Sequence, residues 1–126
     1  MPRNDVTFNE INQKIRTHLE ERDWHNNPAR GLVISIALEA NELLEHYQWH
    51  DEPVGRKAEL AEELADIFIY AFQFAQTHDI DIPEAITKKL EKAAKKYPAE
   101  HFKAKTQEER KKAWLKDKMK YQKSGL

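Results

Sequence analysis

Glu39-Ala40-Asn41-Glu42 and Glu63-Leu64-Ala65-Asp66 are two short acidic words, each set inside apolar, helix-patterned sequence. Residues three apart are neighbours on one face of an α-helix, so each word presents two carboxylates side by side. Two such helices packed face to face gather four carboxylates. Like charges so placed repel one another and resist desolvation unless a cation joins them. A hard divalent ion such as Mg²⁺ favours oxygen ligands, and pairing with lysine or arginine is the competing arrangement. A lone E-x-x-E is common on helix surfaces, and Glu20-Glu21, Glu62 and Glu108-Glu109 are read that way. With no cysteine in the chain and no histidine pair at ligand spacing, zinc is disfavoured.

The first word lies in a predicted helix from Leu32 to Trp49 that is apolar almost all round the wheel, which predicts burial on most sides. Glu39, Glu42 and His46 fall within about 60° of one another at 3.6 residues per turn. The second word lies in a predicted helix from Lys57 to Thr77, where Glu59, Glu63, Asp66 and Tyr70 form one stripe bordered by Leu60, Leu64, Ile67, Ala71 and Phe74. The short connection through His50–Arg56, with Pro53 and Gly55, predicts antiparallel packing of the two.

Elsewhere the chain is also helical in pattern. Met1–Asp5 reads as a loose end. Thr7 is a candidate N-cap, with Glu10 in capping-box position, for a helix carrying Phe8, Ile11, Ile15 and Leu19 and ending near Asp23. His25–Gly31 reads as a loop. Pro83 suits the first turn of a fourth helix that stops before Tyr97-Pro98, and Thr106–Lys120 suits a solvated helix with a small apolar edge.

The chain has 126 residues, 34% charged and 40% apolar, with only three glycines, which suits one helical domain and disfavours an all-β fold. It offers no apolar run long enough for a membrane span and no signal-peptide pattern, which predicts a cytoplasmic protein with no membrane partner. The net charge of −1 hides an asymmetry. Residues 1–87 carry 7 Lys+Arg against 17 Asp+Glu, and residues 88–126 carry 14 against 5. A basic end of this kind attracts phosphates or serves as a solvated helix face.

Glu21-Arg22-Asp23-Trp24, Leu38-Glu39-Ala40-Asn41-Glu42-Leu43-Leu44-Glu45, Gln48-Trp49, Glu62-Glu63-Leu64-Ala65-Asp66-Ile67 with Tyr70, and Lys95-Lys96-Tyr97-Pro98 together resemble the MazG-type nucleotide pyrophosphohydrolases, in particular the small single-domain branch that includes the dCTP pyrophosphatases. The resemblance spans about residues 8–100. It implies an all-α helical bundle completed by oligomerisation, as a homodimer or homotetramer, with the domain over 1–103 and a basic C-terminal extension over 104–126. It further implies Mg²⁺-dependent hydrolysis of a (deoxy)nucleoside triphosphate to the monophosphate and pyrophosphate, with Mn²⁺ as a substitute metal and nucleotide-pool house-cleaning as the role. Carried over, Glu39, Glu42, Glu63 and Asp66 are the metal-holding catalytic acids.

Trp24 and Trp49 are the aromatic candidates for the base, against packing roles. Lys89, Lys92, Lys96 and Tyr97 match the basic segment that meets phosphates, against a solvated face. His46 and Tyr70 are read as supporting hydrogen-bonding or packing residues. Some relatives carry a general-base glutamate directly before the first acid. Here that residue is Leu38, which leaves Glu45, Glu59, Glu62 or the metal's own water for the task. Ala93 stands where many relatives have asparagine, and His25-Asn26-Asn27-Pro28 where others have Phe-His, so base preference is not inherited. The alternatives are a non-catalytic helical oligomer binding nucleic acid through its basic tail, which is the less favoured partner, and hydrolysis of another pyrophosphate-bearing metabolite, as in the related phosphoribosyl-ATP hydrolases.

Overall fold

The computed structural model describes residues 5–123, so most of the expected loose end at Met1–Asp5 lies outside the described residues. Five α-helices follow in order: α1 (Phe8–Glu20), α2 (Ala29–Glu45), α3 (Lys57–Thr77), α4 (Ile82–Lys96) and, after a 3₁₀ turn at Ala99–His101, α5 (Gln107–Lys123). No strand occurs among the described residues, and the fold is all-α as expected. No helix among them is long and apolar enough to cross a membrane. Two compact units divide the chain, Met1–Ile82 and Pro83–Leu126.

In the first unit, α1 starts where the Thr7 hydroxyl accepts the Glu10 backbone N–H at 3.1 Å. It is closed by Asp23, which takes the left-handed conformation (φ 55°). The Trp24 N–H then donates to the Leu19 carbonyl at 2.8 Å and the Asp23 N–H to that of Glu20 at 3.2 Å, the paired closure of a Schellman turn. Asp79 (φ 54°) ends α3 in the same way, with the Ile80 N–H on the Ala75 carbonyl at 2.8 Å. Aspartate tolerates this backbone better than most residues with a Cβ.

The second helix differs from expectation at both ends. It begins at Ala29, not Leu32, because Pro28 stands just ahead of the first turn, where its carbonyl accepts the Leu32 N–H at 3.2 Å. Gly31 is simply accommodated inside the helix. At the other end the helix stops at Glu45, not Trp49. The chain turns there because the His46 carbonyl accepts the Val54 N–H at 2.9 Å. In this single chain α2 is also not buried on most sides: Leu32 is buried, but Val33, Ile34, Leu38 and Leu44 are 47–61% exposed.

Helix α3 runs from Lys57 to Thr77 as predicted and packs on both α1 and α2. Phe8 of α1 meets Phe72 of α3 with ring centroids 5.0 Å apart. The Gln76 side chain donates to the Asn12 carbonyl at 2.9 Å. In the second unit, the Thr106 hydroxyl accepts the Glu109 N–H and the Glu109 carboxylate accepts the Thr106 N–H, a complete capping box that starts α5. Those bonds, the backbone one first, hold the Glu109 carboxyl below its ordinary range. Helix α5 is fastened by buried Asp117, which accepts from His101 Nδ1 at 2.8 Å, and by Trp114, which stacks parallel to Tyr97 at 6.3 Å.

Candidate active site

The two acidic words meet because α2 and α3 run antiparallel. His46, at the end of α2, lies 3.7 Å from Glu63, and Glu39, two turns earlier, is level with both Glu63 and Asp66. One ligand oxygen each from Glu39, Glu63 and Asp66 lie within 4.8 Å of one another. Glu39 and Glu63 are half-buried and Asp66 is exposed. Glu42 is exposed and stands outside this trio, yet near enough to act on Glu39 electrostatically.

The Glu39 carboxyl is raised above its ordinary range, first by desolvation and then by the charges of Asp66, Glu42 and Glu63. Such crowding is what a cation relieves. Oxygens on opposite sides of a hard divalent ion stand roughly 4–5 Å apart, given bonds of about 2.0–2.6 Å. An all-oxygen donor set of this span fits Mg²⁺ or a similar hard ion.

The raised Glu39 has a consequence for stability. A carboxyl that holds its proton more tightly when folded destabilises the fold once it is forced to ionise. The penalty is absent below the ordinary glutamate value and complete above the raised one. Metal-free protein is therefore expected to lose stability as pH rises through that window. Glu39→Gln should flatten this segment of the profile and raise the metal-free urea midpoint at neutral pH. Urea titrations of both proteins at several pH values, with chelator present, measure the difference.

Beside Asp66, a cavity of about 420 Å³ is lined by Trp24, Asn27, Tyr70, Gln73, His18 and Ile69 among others. Its volume is within the range of small-molecule sites. Trp24 reaches it because the Schellman turn at Asp23 directs the chain back onto α3, where the Trp24 carbonyl accepts a 2.8 Å hydrogen bond from Gln73 Nε2. The indole is 53% exposed and meets His18 edge-on. Gln73, 2% exposed, was not singled out from the sequence. Its signal was there, since residue 73 continues the stripe of 59, 63, 66 and 70 on α3. A larger groove along α1, lined by Asn9, Gln13 and Thr17 among others, contains none of Glu39, Glu42, Glu63 and Asp66.

The remaining candidates are placed as follows. Tyr70 is half-buried on the cavity wall. Trp49 lies off the end of α2 and is 80% exposed. Glu45 and Glu62 are exposed, and Glu59 pairs with Arg56 at 3.2 Å. Lys89, Lys92 and Lys96 lie along one face of α4 in the second unit, with the Lys96 ammonium 5.4 Å above the Tyr97 ring.

Comparison with known proteins places the chain in a family. The MazG-like family matches residues 34–112, a span that includes both acidic words and α4. The chain belongs to the MazG-like family. Among curated relatives, the mouse protein named dCTP pyrophosphatase 1 (Mus musculus) is 33% identical over 103 residues, covering 75% of this chain. The human protein of the same name (Homo sapiens) is 31% identical over 104 residues, again covering 75%. This MazG-like chain spans 61% of the length of those relatives. A solved structure of a pyrophosphatase from Archaeoglobus fulgidus DSM 4304 superposes with a TM-score of 0.66 at 30% identity, covering 78% of this chain and 98% of that one.

Proposed function

We propose that this MazG-like protein hydrolyses a nucleoside triphosphate, of the deoxy series by preference, to the monophosphate and pyrophosphate. The observation that carries the reading is the convergence of Glu39, Glu63 and Asp66 from two helices beside a cavity walled by Trp24. Relatives named dCTP pyrophosphatase support the substrate class. Glu39, Glu63 and Asp66, with Glu42 at the rim, would hold Mg²⁺. Bound there, such an ion would supply charge neutralisation for the phosphates and a more acidic water. Trp24 offers a π-face to the base within the cavity, and Gln73 fixes the backbone that carries it. Lys89, Lys92, Lys96 and Tyr97 are assigned to the phosphates, and Trp49 to the base of a bound nucleotide.

The working protein is a homodimer or homotetramer, acting in the cytoplasm to cleanse the nucleotide pool. Its pyrophosphohydrolase domain is taken as residues 1–103, with 104–126 an extension. The exposed apolar faces of α2 and α3 favour this association. A panel of nucleoside and deoxynucleoside triphosphates incubated with Mg²⁺, with products identified by ion-exchange chromatography, tests the activity. Monophosphate and pyrophosphate in equal amounts, lost on adding EDTA, are expected. Release of orthophosphate with diphosphate, or no turnover of any nucleotide, overturns it.

A further inference from the structure

His46 caps the C-terminus of α2, and its side chain is only 15% exposed. The Gly55 backbone N–H donates to its Nδ1 at 3.1 Å. A nitrogen that accepts a hydrogen bond carries no proton, so the neutral ring places its hydrogen on Nε2. Nε2 is the atom that faces Glu63, 3.7 Å from Oε1. The backbone around the ring is built to this purpose. The Val54 N–H bonds the His46 carbonyl, so the segment from 46 to 55 is closed by main-chain and side-chain bonds together. Gly55 has no room for a side chain. A Cβ there would overlap the imidazole and stand 3.0 Å from Glu59 Oε2.

We propose that His46 is a positioning residue for Glu63, its tautomer set by the Gly55 N–H so that the protonated Nε2 faces the Glu63 carboxylate across 3.7 Å, a gap that closes to a hydrogen bond when Glu63 takes up the metal. The inference rests on the reading of Glu63 as a metal-holding acid. Supporting donors of this kind orient ligating carboxylates, and their loss costs about 10–100-fold in metal affinity or activity. A histidine that served only to close the 46–55 loop would need its Nδ1 acceptor and nothing else. Two near-isosteric replacements separate these roles. Glutamine keeps a donor near Nε2 and gives up the Nδ1 acceptor, while asparagine keeps an acceptor near Nδ1 and gives up the donor.

The test compares His46→Gln, His46→Asn, Gly55→Ala and Glu63→Gln in the full chain. Mn²⁺ binding is followed by electron paramagnetic resonance, nucleotide kcat and KM by steady-state assay, and the metal-free thermal midpoint by circular dichroism. His46→Asn is expected to weaken Mn²⁺ binding about tenfold or more and lower kcat similarly, with nucleotide KM within about twofold. His46→Gln should stay within about threefold of the parent in Mn²⁺ affinity. Gly55→Ala, which displaces the ring without touching metal or substrate, should behave like His46→Asn. If His46→Asn binds Mn²⁺ as tightly as the parent, the ring only closes the loop; if His46→Gln loses as much as His46→Asn, a donor at the Nε2 position is not what Glu63 requires; either result overturns the proposal. Should His46→Asn not fold, Gly55→Ala decides, and parental Mn²⁺ affinity there overturns the proposal. Glu63→Gln serves as the separate arm. Unchanged Mn²⁺ binding in that variant sinks the metal-holding reading of Glu63 and this inference with it, whereas lost binding there with parental binding in His46→Asn sinks this inference alone.

Discussion

Glu63→Gln lowers kcat by roughly 10²- to 10³-fold while leaving the helical circular dichroism spectrum unchanged. The substitution conserves volume and removes one anionic oxygen from the trio of Glu39, Glu63 and Asp66. A ligated cation contributes several kcal/mol of stabilisation to a phosphoryl transition state. At about 1.4 kcal/mol per tenfold in rate, losing some 3–4 kcal/mol gives that range. Glu63 is the more telling choice than Glu42, because Glu63 is half-buried between the helices and Glu42 lies outside the trio. Steady-state kinetics over a Mg²⁺ titration checks it. Turnover at the parental rate at every Mg²⁺ concentration would remove Glu63 from the ligand set.

Phe68→Glu is expected to convert the proposed homo-oligomer to monomers at micromolar concentration. Buried apolar residues among the described ones are few: Leu19, Leu32 and Ala75. Against these stand Val33, Ile34, Leu38 and Leu44 on α2 and Leu64 and Phe68 on α3, all 47–61% exposed in the single chain. Covering the half of each side chain still exposed is worth about 0.7–1.5 kcal/mol, and exposed apolar area of this extent marks an interaction surface. A second copy of the chain is the occupant proposed for it. A charge placed at an aromatic anchor costs an interface about 2 kcal/mol or more, hence roughly thirtyfold or more in dissociation constant. Because Phe68 is 54% exposed, its replacement leaves the single-chain packing largely intact. Light scattering coupled to size-exclusion chromatography gives the masses of parent and variant. A parent that runs as a monomer at these concentrations would dispose of the assembly.

Local periodicity accounts for much of this fold. The spacing of Phe8, Ile11, Ile15 and Leu19 and the stripe of Glu59, Glu63, Asp66 and Tyr70 specify helices and assign a face to each. The third helix was legible to the residue, since Gly55 and Arg56 precede an unbroken pattern that runs to Thr77. The acidic words were legible because carboxylates on an otherwise apolar rod conflict with burial unless something compensates them. The ends of α2 were not. Proline and glycine at 28 and 31 read as loop by composition, yet the proline sits just before the first helical turn and the glycine inside the helix.

Packing alone sets how far the acids converge, bringing three of the four to one point and leaving Glu42 at its edge. Only it joined Gln73 to Trp24, His46 to Gly55 and His101 to Asp117, pairs 49, 9 and 16 residues apart. The first two follow from where backbone turns aim a main-chain group, and the third joins two side chains. Those turns depend on left-handed residues such as Asp23 and Asp79, whose conformation a periodic pattern does not encode. Periodicity states which face of a helix turns inward, while the neighbour it meets and the atoms that touch are set by the packing of the whole.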